Sequence, residues 1–110
     1  AMADALRRAL AEGQPGLRIL ASLAGRVSDL IVARDLAAAK ASPQEIAKRV
    51  ARGNAGMAGR LVEAARRYQG DELDAMLIGL WEADVAIKSN EMDEEPALVA
   101  WVGEHILASR

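Results

Sequence analysis

The chain holds one histidine, His105, no cysteine and sixteen carboxylates, and these bound the chemistry it could perform. Without cysteine there is no thiolate nucleophile, no disulfide framework and no cysteine-based zinc site. No serine or ligand cluster accompanies His105, so it reads as a surface residue favoured by the dipole at a helix C-terminus. Asp71, Glu72 and Asp74 fall in the first turn of an expected helix, and Asp93, Glu94 and Glu95 lie just before another. Negative charge is stabilised at both places by the helix dipole, and the acidic run lacks the spaced ligands and central glycine of an EF-hand. The glycine-rich stretch from Gly53 to Arg60 lacks the Gly-Lys-Ser/Thr ending of a phosphate-binding loop and follows a helix where such loops follow a strand. No catalytic, metal-ligating or cofactor-binding residue is therefore expected. Asp84 and Lys88 stand four residues apart in the favoured acid-to-base order, and form a candidate structural ion pair.

The elements that carry these residues are expected to be helical throughout. Of 110 residues, 52% are hydrophobic and 24 are alanine, with one Tyr, two Trp and no Phe. Alanine favours packed helices, and β-branched and aromatic residues, which favour sheet, are few. A charged fraction of 27% and a mean hydropathy of +0.03 fit a globular chain rather than a disordered one. No apolar run reaches the roughly 20 residues of a membrane span, and the composition is that of a soluble intracellular domain, for which no membrane contact is expected; a cytoplasmic location goes with the overall reading. Ala1-Met2 resembles a cloning remnant, and the whole of 1–110 is read as a single helical domain cut from a longer protein.

Periodicity divides the chain into five to six helices of an all-α compact bundle. The first covers about 3–11 and ends at the Gly13-Gln14-Pro15-Gly16 breaker. The second covers about 17–40, with Leu20, Leu23, Val27, Leu30 and Ile31 in one stripe. Ser42, Pro43 and Glu45 form a capping box at the start of the third, whose inner face carries Ile46 and Val50. Residues 52–56 break the chain, and a fourth helix covers about 57–69, ended by Gly70, with Asp71 capping the next. The fifth, about 72–89, has Leu73, Met76, Leu77, Leu80, Ala83 and Ile87 at three-four spacing. Residues 91–95 read as a loop, and Pro96 opens a sixth helix directing Leu98, Val99, Val102, Ile106 and Leu107 to a core.

Charge is uneven along the chain. Residues 1–70 carry twelve bases and six acids, net +6, whereas 71–110 carry two bases and ten acids, net −8. Such asymmetry marks a nucleic-acid face or complementary surfaces in an assembly, or else ordinary solvated helix surfaces. Residues 42–68 can be read as a helix-turn-helix whose recognition helix, 57–67, bears Arg60, Arg66 and Arg67. That helix has few base-reading amides at hand beyond Asn54 and Gln69, and a pI near 5.4 is low for a specific DNA reader.

Five stretches resemble one family: Ser42-Pro43-Gln44-Glu45-Ile46-Ala47, Val62-Glu63-Ala64-Ala65-Arg66-Arg67-Tyr68, Glu72-Leu73-Asp74-Ala75-Met76-Leu77, Leu80-Trp81-Glu82-Ala83-Asp84-Val85-Ala86-Ile87-Lys88, and a closing amphipathic helix over 97–107. Across about 17–107 the chain is similar to the C-terminal domain of the bacterial DNA polymerase III delta subunit. The resemblance implies a clamp-loader collar fold and a non-catalytic role in oligomerisation, in the assembly that places the sliding clamp on primed DNA. The implied partners are the delta prime and gamma/tau subunits through the collar, and the sliding clamp through the parent protein's N-terminal region. DNA contact is expected to be indirect or weak, and no cofactor is implied, ATP hydrolysis belonging to the partner subunits. A helix-turn-helix DNA-binding domain is the alternative. Trp81 and Trp101 are the candidate interface anchors, because interfaces favour Trp, although both also suit ordinary core positions.

Overall fold

Ser42 accepts a hydrogen bond from the Glu45 N–H at 3.1 Å, and Pro43 occupies the first helical position, where a missing N–H costs nothing. This local chemistry is typical of how the chain sets its helices. The computed structural model describes residues 16–107, and all regular structure among them is helical. The helices are α1 (Gly16–Ala38), α2 (Pro43–Val50), α3 (Ala55–Ala65), α4 (Glu72–Lys88) and α5 (Glu94–Val102), and a π-helical turn, Gly103–Leu107, follows α5. The all-α expectation holds. The helix expected over 3–11 and breaker residues 13–15 lie outside the described residues.

Three boundaries differ from the sequence reading, each for a local reason. Helix α3 starts at Ala55 because Asn54 Oδ1 accepts from the Met57 N–H at 3.0 Å, which overrides the reluctance of Gly56 to be helical. It stops at Ala65, where the N–H groups of Arg67 and Tyr68 turn to carbonyls only three residues back, and Gly70 at φ +52 then reverses the chain. Helix α5 begins at Glu94 rather than at Pro96, since a proline within the first turn gives up only an N–H that has no helical partner. The last residues do not continue as an α-helix but widen into the π-helical turn.

Three helices end on side chains that seldom take a left-handed backbone: Arg52 stands at φ +50 after α2, and α1 and α4 share a further arrangement. At the end of α1, Lys40 has φ +62 while Ala41 N–H donates to Leu36 O at 2.9 Å and Lys40 N–H to Ala37 O at 3.0 Å. The end of α4 repeats the arrangement with Asn90 at φ +61. These paired bonds satisfy carbonyls that a helix end leaves open, and glycine is the residue that usually makes them. Asparagine tolerates the left-handed region, but lysine does so at a cost. Lys40→Gly is therefore expected to raise stability by about 0.5 kcal/mol, the strain relieved being partly offset by the freer unfolded chain. A lower midpoint in urea for the variant would contradict this.

The chain divides into two units, one comprising residues 16–25 and 76–107 of the described chain and the other Arg26–Ala75. In the first, Leu20 and Leu23 of α1, Met76 and Leu80 of α4, and Leu98 and Trp101 of α5 are buried. Val99, expected in this core, is 59% exposed instead. In the second, α2 and α3 pack against each other, and three of their five buried residues are Ala47, Ala58 and Ala65. Such small side chains let helix axes approach closely, which is one use of the high alanine content.

One long-range bond closes the first unit. Gly16 N–H, in the first turn of α1, donates to Glu94 Oε2 at 2.8 Å. A Cβ on Gly16 would lie 2.5 Å from Glu94 Cβ, so glycine is required for that approach. Glu94 thus caps one helix from the first turn of another, where its charge also meets a favourable dipole. Glu94→Ala is expected to cost about 1 kcal/mol, the usual worth of a cap, read as a lower thermal midpoint.

Candidate interaction surface

Helix α4 is apolar on two sides. Leu73, Met76, Leu80 and Ile87 make the buried strip, as the three-four spacing requires. Between those positions fall Ile78, Trp81 and Val85, three and four residues apart, and these are 51%, 58% and 62% exposed. Spacing of that kind puts the three side chains in one row along the outer face.

The two tryptophans have opposite surroundings. Trp101, 3% exposed, lies in the core, and its Nε1–H donates to the Met76 carbonyl at 3.0 Å. Its indole sits over Gly79: a Cβ there would meet Trp101 Cδ1 at 3.1 Å and His105 Nε2 at 2.7 Å. His105 is therefore not the surface residue expected. Its side chain is only 14% exposed, its ring centroid is 5.6 Å from that of Trp101, and its Nε2 is 3.9 Å from Glu104 Oε2. Any side chain at position 79 would press its Cβ into both rings, so the glycine in mid-helix is what admits them. Of the two candidate anchors, Trp101 is a core residue of its unit, and Trp81 alone faces solvent.

The charged candidates are solvated. Lys88 Nζ is 3.0 Å from Asp84 Oδ2, with side chains 64% and 36% exposed, so the pair stabilises α4 by about 0.5 kcal/mol at most. Arg34 Nε donates to Asp35 Oδ1 at 3.0 Å, and Arg34 Nη2 lies 3.6 Å from Asp74 Oδ1. The hydrogen bond to Asp35, aided by the field of both carboxylates, raises the Arg34 pKa above its already high ordinary value. On α2, α3 and their flanking turns, Lys48, Arg49, Arg52, Arg60, Arg66 and Arg67 are all exposed. Among the described residues only Arg66 of these has an ion-pair partner, Glu63, at 3.2 Å. Asn54, one of the two amides available to a base-reading helix, has its oxygen occupied in capping α3.

No group of three or more His, Asp or Glu side chains among the described residues is placed to hold a metal ion, and every buried side-chain nitrogen or oxygen there is partnered. No helix among them is long and apolar enough to cross a membrane. What the geometry offers is a surface: the outer row of α4, with Glu82 exposed beside Trp81. Sequence periodicity finds the inner strip of α4 and passes over the outer row, because the row has the same spacing and the same residue types. The exposure of Trp81 could have been suspected from its neighbours Glu82 and Asp84, whereas the Glu94 cap on Gly16, across 78 positions, leaves no local sign.

No curated protein and no solved structure matches the chain. One family model does, over residues 2–102, and it describes the DNA polymerase III delta subunit, C-terminal domain.

Proposed function

The chain belongs to the family formed by the C-terminal domains of DNA polymerase III delta subunits, and from that membership we propose that it is a collar module, joining a clamp loader together through contacts with equivalent domains of other subunits. Its partners in this reading are delta prime and gamma/tau, and the sliding clamp is engaged by other domains of the parent protein. The module itself is non-catalytic, its DNA contact is indirect or weak, and it works in the cytoplasm. The observation that carries the reading is the family match across nearly the whole chain. The exposed row on α4 supports it, since a module whose task is assembly needs apolar surface beyond its own core.

Light scattering after size-exclusion chromatography tests the reading, with the chain mixed with clamp-loader subunits of the same source and the parent protein run in parallel. Co-elution as a stable complex is expected. Failure of both the chain and the parent to associate would overturn it. Trp81 is the proposed anchor, so Trp81→Ala should weaken association by about tenfold or more, as truncating an interface hot spot does.

A further inference from the structure

We propose that the Ile78–Trp81–Val85 row of α4 seats a neighbouring collar domain through a helical surface edged with Lys and Arg. The inference rests on the collar reading and adds the face and the chemistry of what covers it. Single exposed apolar residues are ordinary, but a Trp between two β-branched residues at i, i+3 and i+7 is the pattern by which one helix receives another.

Charge decides the partner. In the unit that bears most of α4, the described residues include seven acids and two bases, net −5. Beside the row, Lys88 is held by Asp84 at 3.0 Å, while Glu82 is exposed and has no ion-pair partner among the described residues. An acidic partner would meet repulsion at Glu82 and Asp84, and a cationic one would find Glu82 available. The same fold shows what such a partner looks like. Its own α2–α3 segment, residues 43–67, has six bases and two acids, with Met57 43% exposed at the start of α3. A related domain offering that segment to the α4 row makes a heterologous contact, in which different surfaces of similar chains meet.

The test uses the clamp-loader complex assembled from the full parent protein, with affinity measured at low and high salt for three variants. Trp81→Ala should weaken association by about tenfold or more, with an unchanged melting curve since the ring lies outside the core. Glu82→Lys should weaken it severalfold and flatten its dependence on salt. Glu104→Lys, which makes the same charge change beside His105 on the Gly79 side of α4, should do neither. A complex indifferent to both Trp81→Ala and Glu82→Lys overturns the inference and leaves the collar reading standing. A complex strengthened by Glu82→Lys overturns the cationic partner. Self-association of the chain alone that disappears in Trp81→Ala but is unmoved by Glu82→Lys and by salt reassigns the row to an uncharged contact between copies and overturns it as well. If the wild-type parent forms no complex, both readings fall.

Discussion

Leu80→Asp is expected to abolish cooperative folding: far-UV circular dichroism should show a large loss of helix and no sigmoidal melt. Leu80 sits in the middle of the buried strip of α4 and is 1% exposed. Removing the side chain forfeits about 1.5–3 kcal/mol of apolar burial. The carboxylate then adds the cost of a buried charge with no partner, or of the protonation that avoids it, and this exceeds the apolar loss. A domain of this size has about 5–15 kcal/mol in total, so the sum reaches the lower part of that range. A variant that melts within a few degrees of the unsubstituted chain would show that α4 does not anchor the fold as described.

The second large effect is at Trp101. Trp101→Ala should cost about 3–5 kcal/mol, because the indole leaves a cavity that the glycine opposite it cannot fill. Trp101→Phe should cost clearly less, since it keeps an aromatic ring over Gly79 and gives up some volume and the hydrogen bond to Met76 O, the bond being worth about 1 kcal/mol. Gly79→Ala separates the two ideas. In the unsubstituted chain it forces a Cβ against His105 and Trp101; in the Trp101→Ala background one of those obstacles is gone. The two changes should therefore be less than additive, as residues in contact are. Strict additivity in a denaturant-monitored cycle would mean that Gly79 is not tied to Trp101.

How far the sequence reaches can be judged element by element. The start of helix α2 is legible to the residue, since Ser42, Pro43 and Glu45 encode it within four positions. Helix α4 is legible in extent and in four positions of its inner strip, because period defines both, while Leu77 and Ala83 of the expected strip are half-buried at its edges. What escapes depends on geometry that period does not carry. Val99 has the apolar character of a core residue but sits on the outer side of α5, and Pro96 draws attention from the true start at Glu94. Lys40 at φ +62 could not be anticipated, since lysine gives no sign of a left-handed turn. The candidate surface is half legible. Two tryptophans stand out by type, but only the packing over Gly79 shows which is core and which is free. The Asp84–Lys88 spacing gives the right neighbours without saying how much water surrounds them.

The division between the two indoles also makes the molecule its own instrument. With only two tryptophans in the chain, one sealed and one in water, its intrinsic fluorescence splits into two channels. A soluble quencher such as iodide reaches Trp81 and not Trp101. Whatever covers the outer side of α4 will blue-shift and shield the first emitter while leaving the second unmoved, and unfolding will redden the second while barely touching the first. Assembly and folding can thus be followed separately in one unlabelled sample.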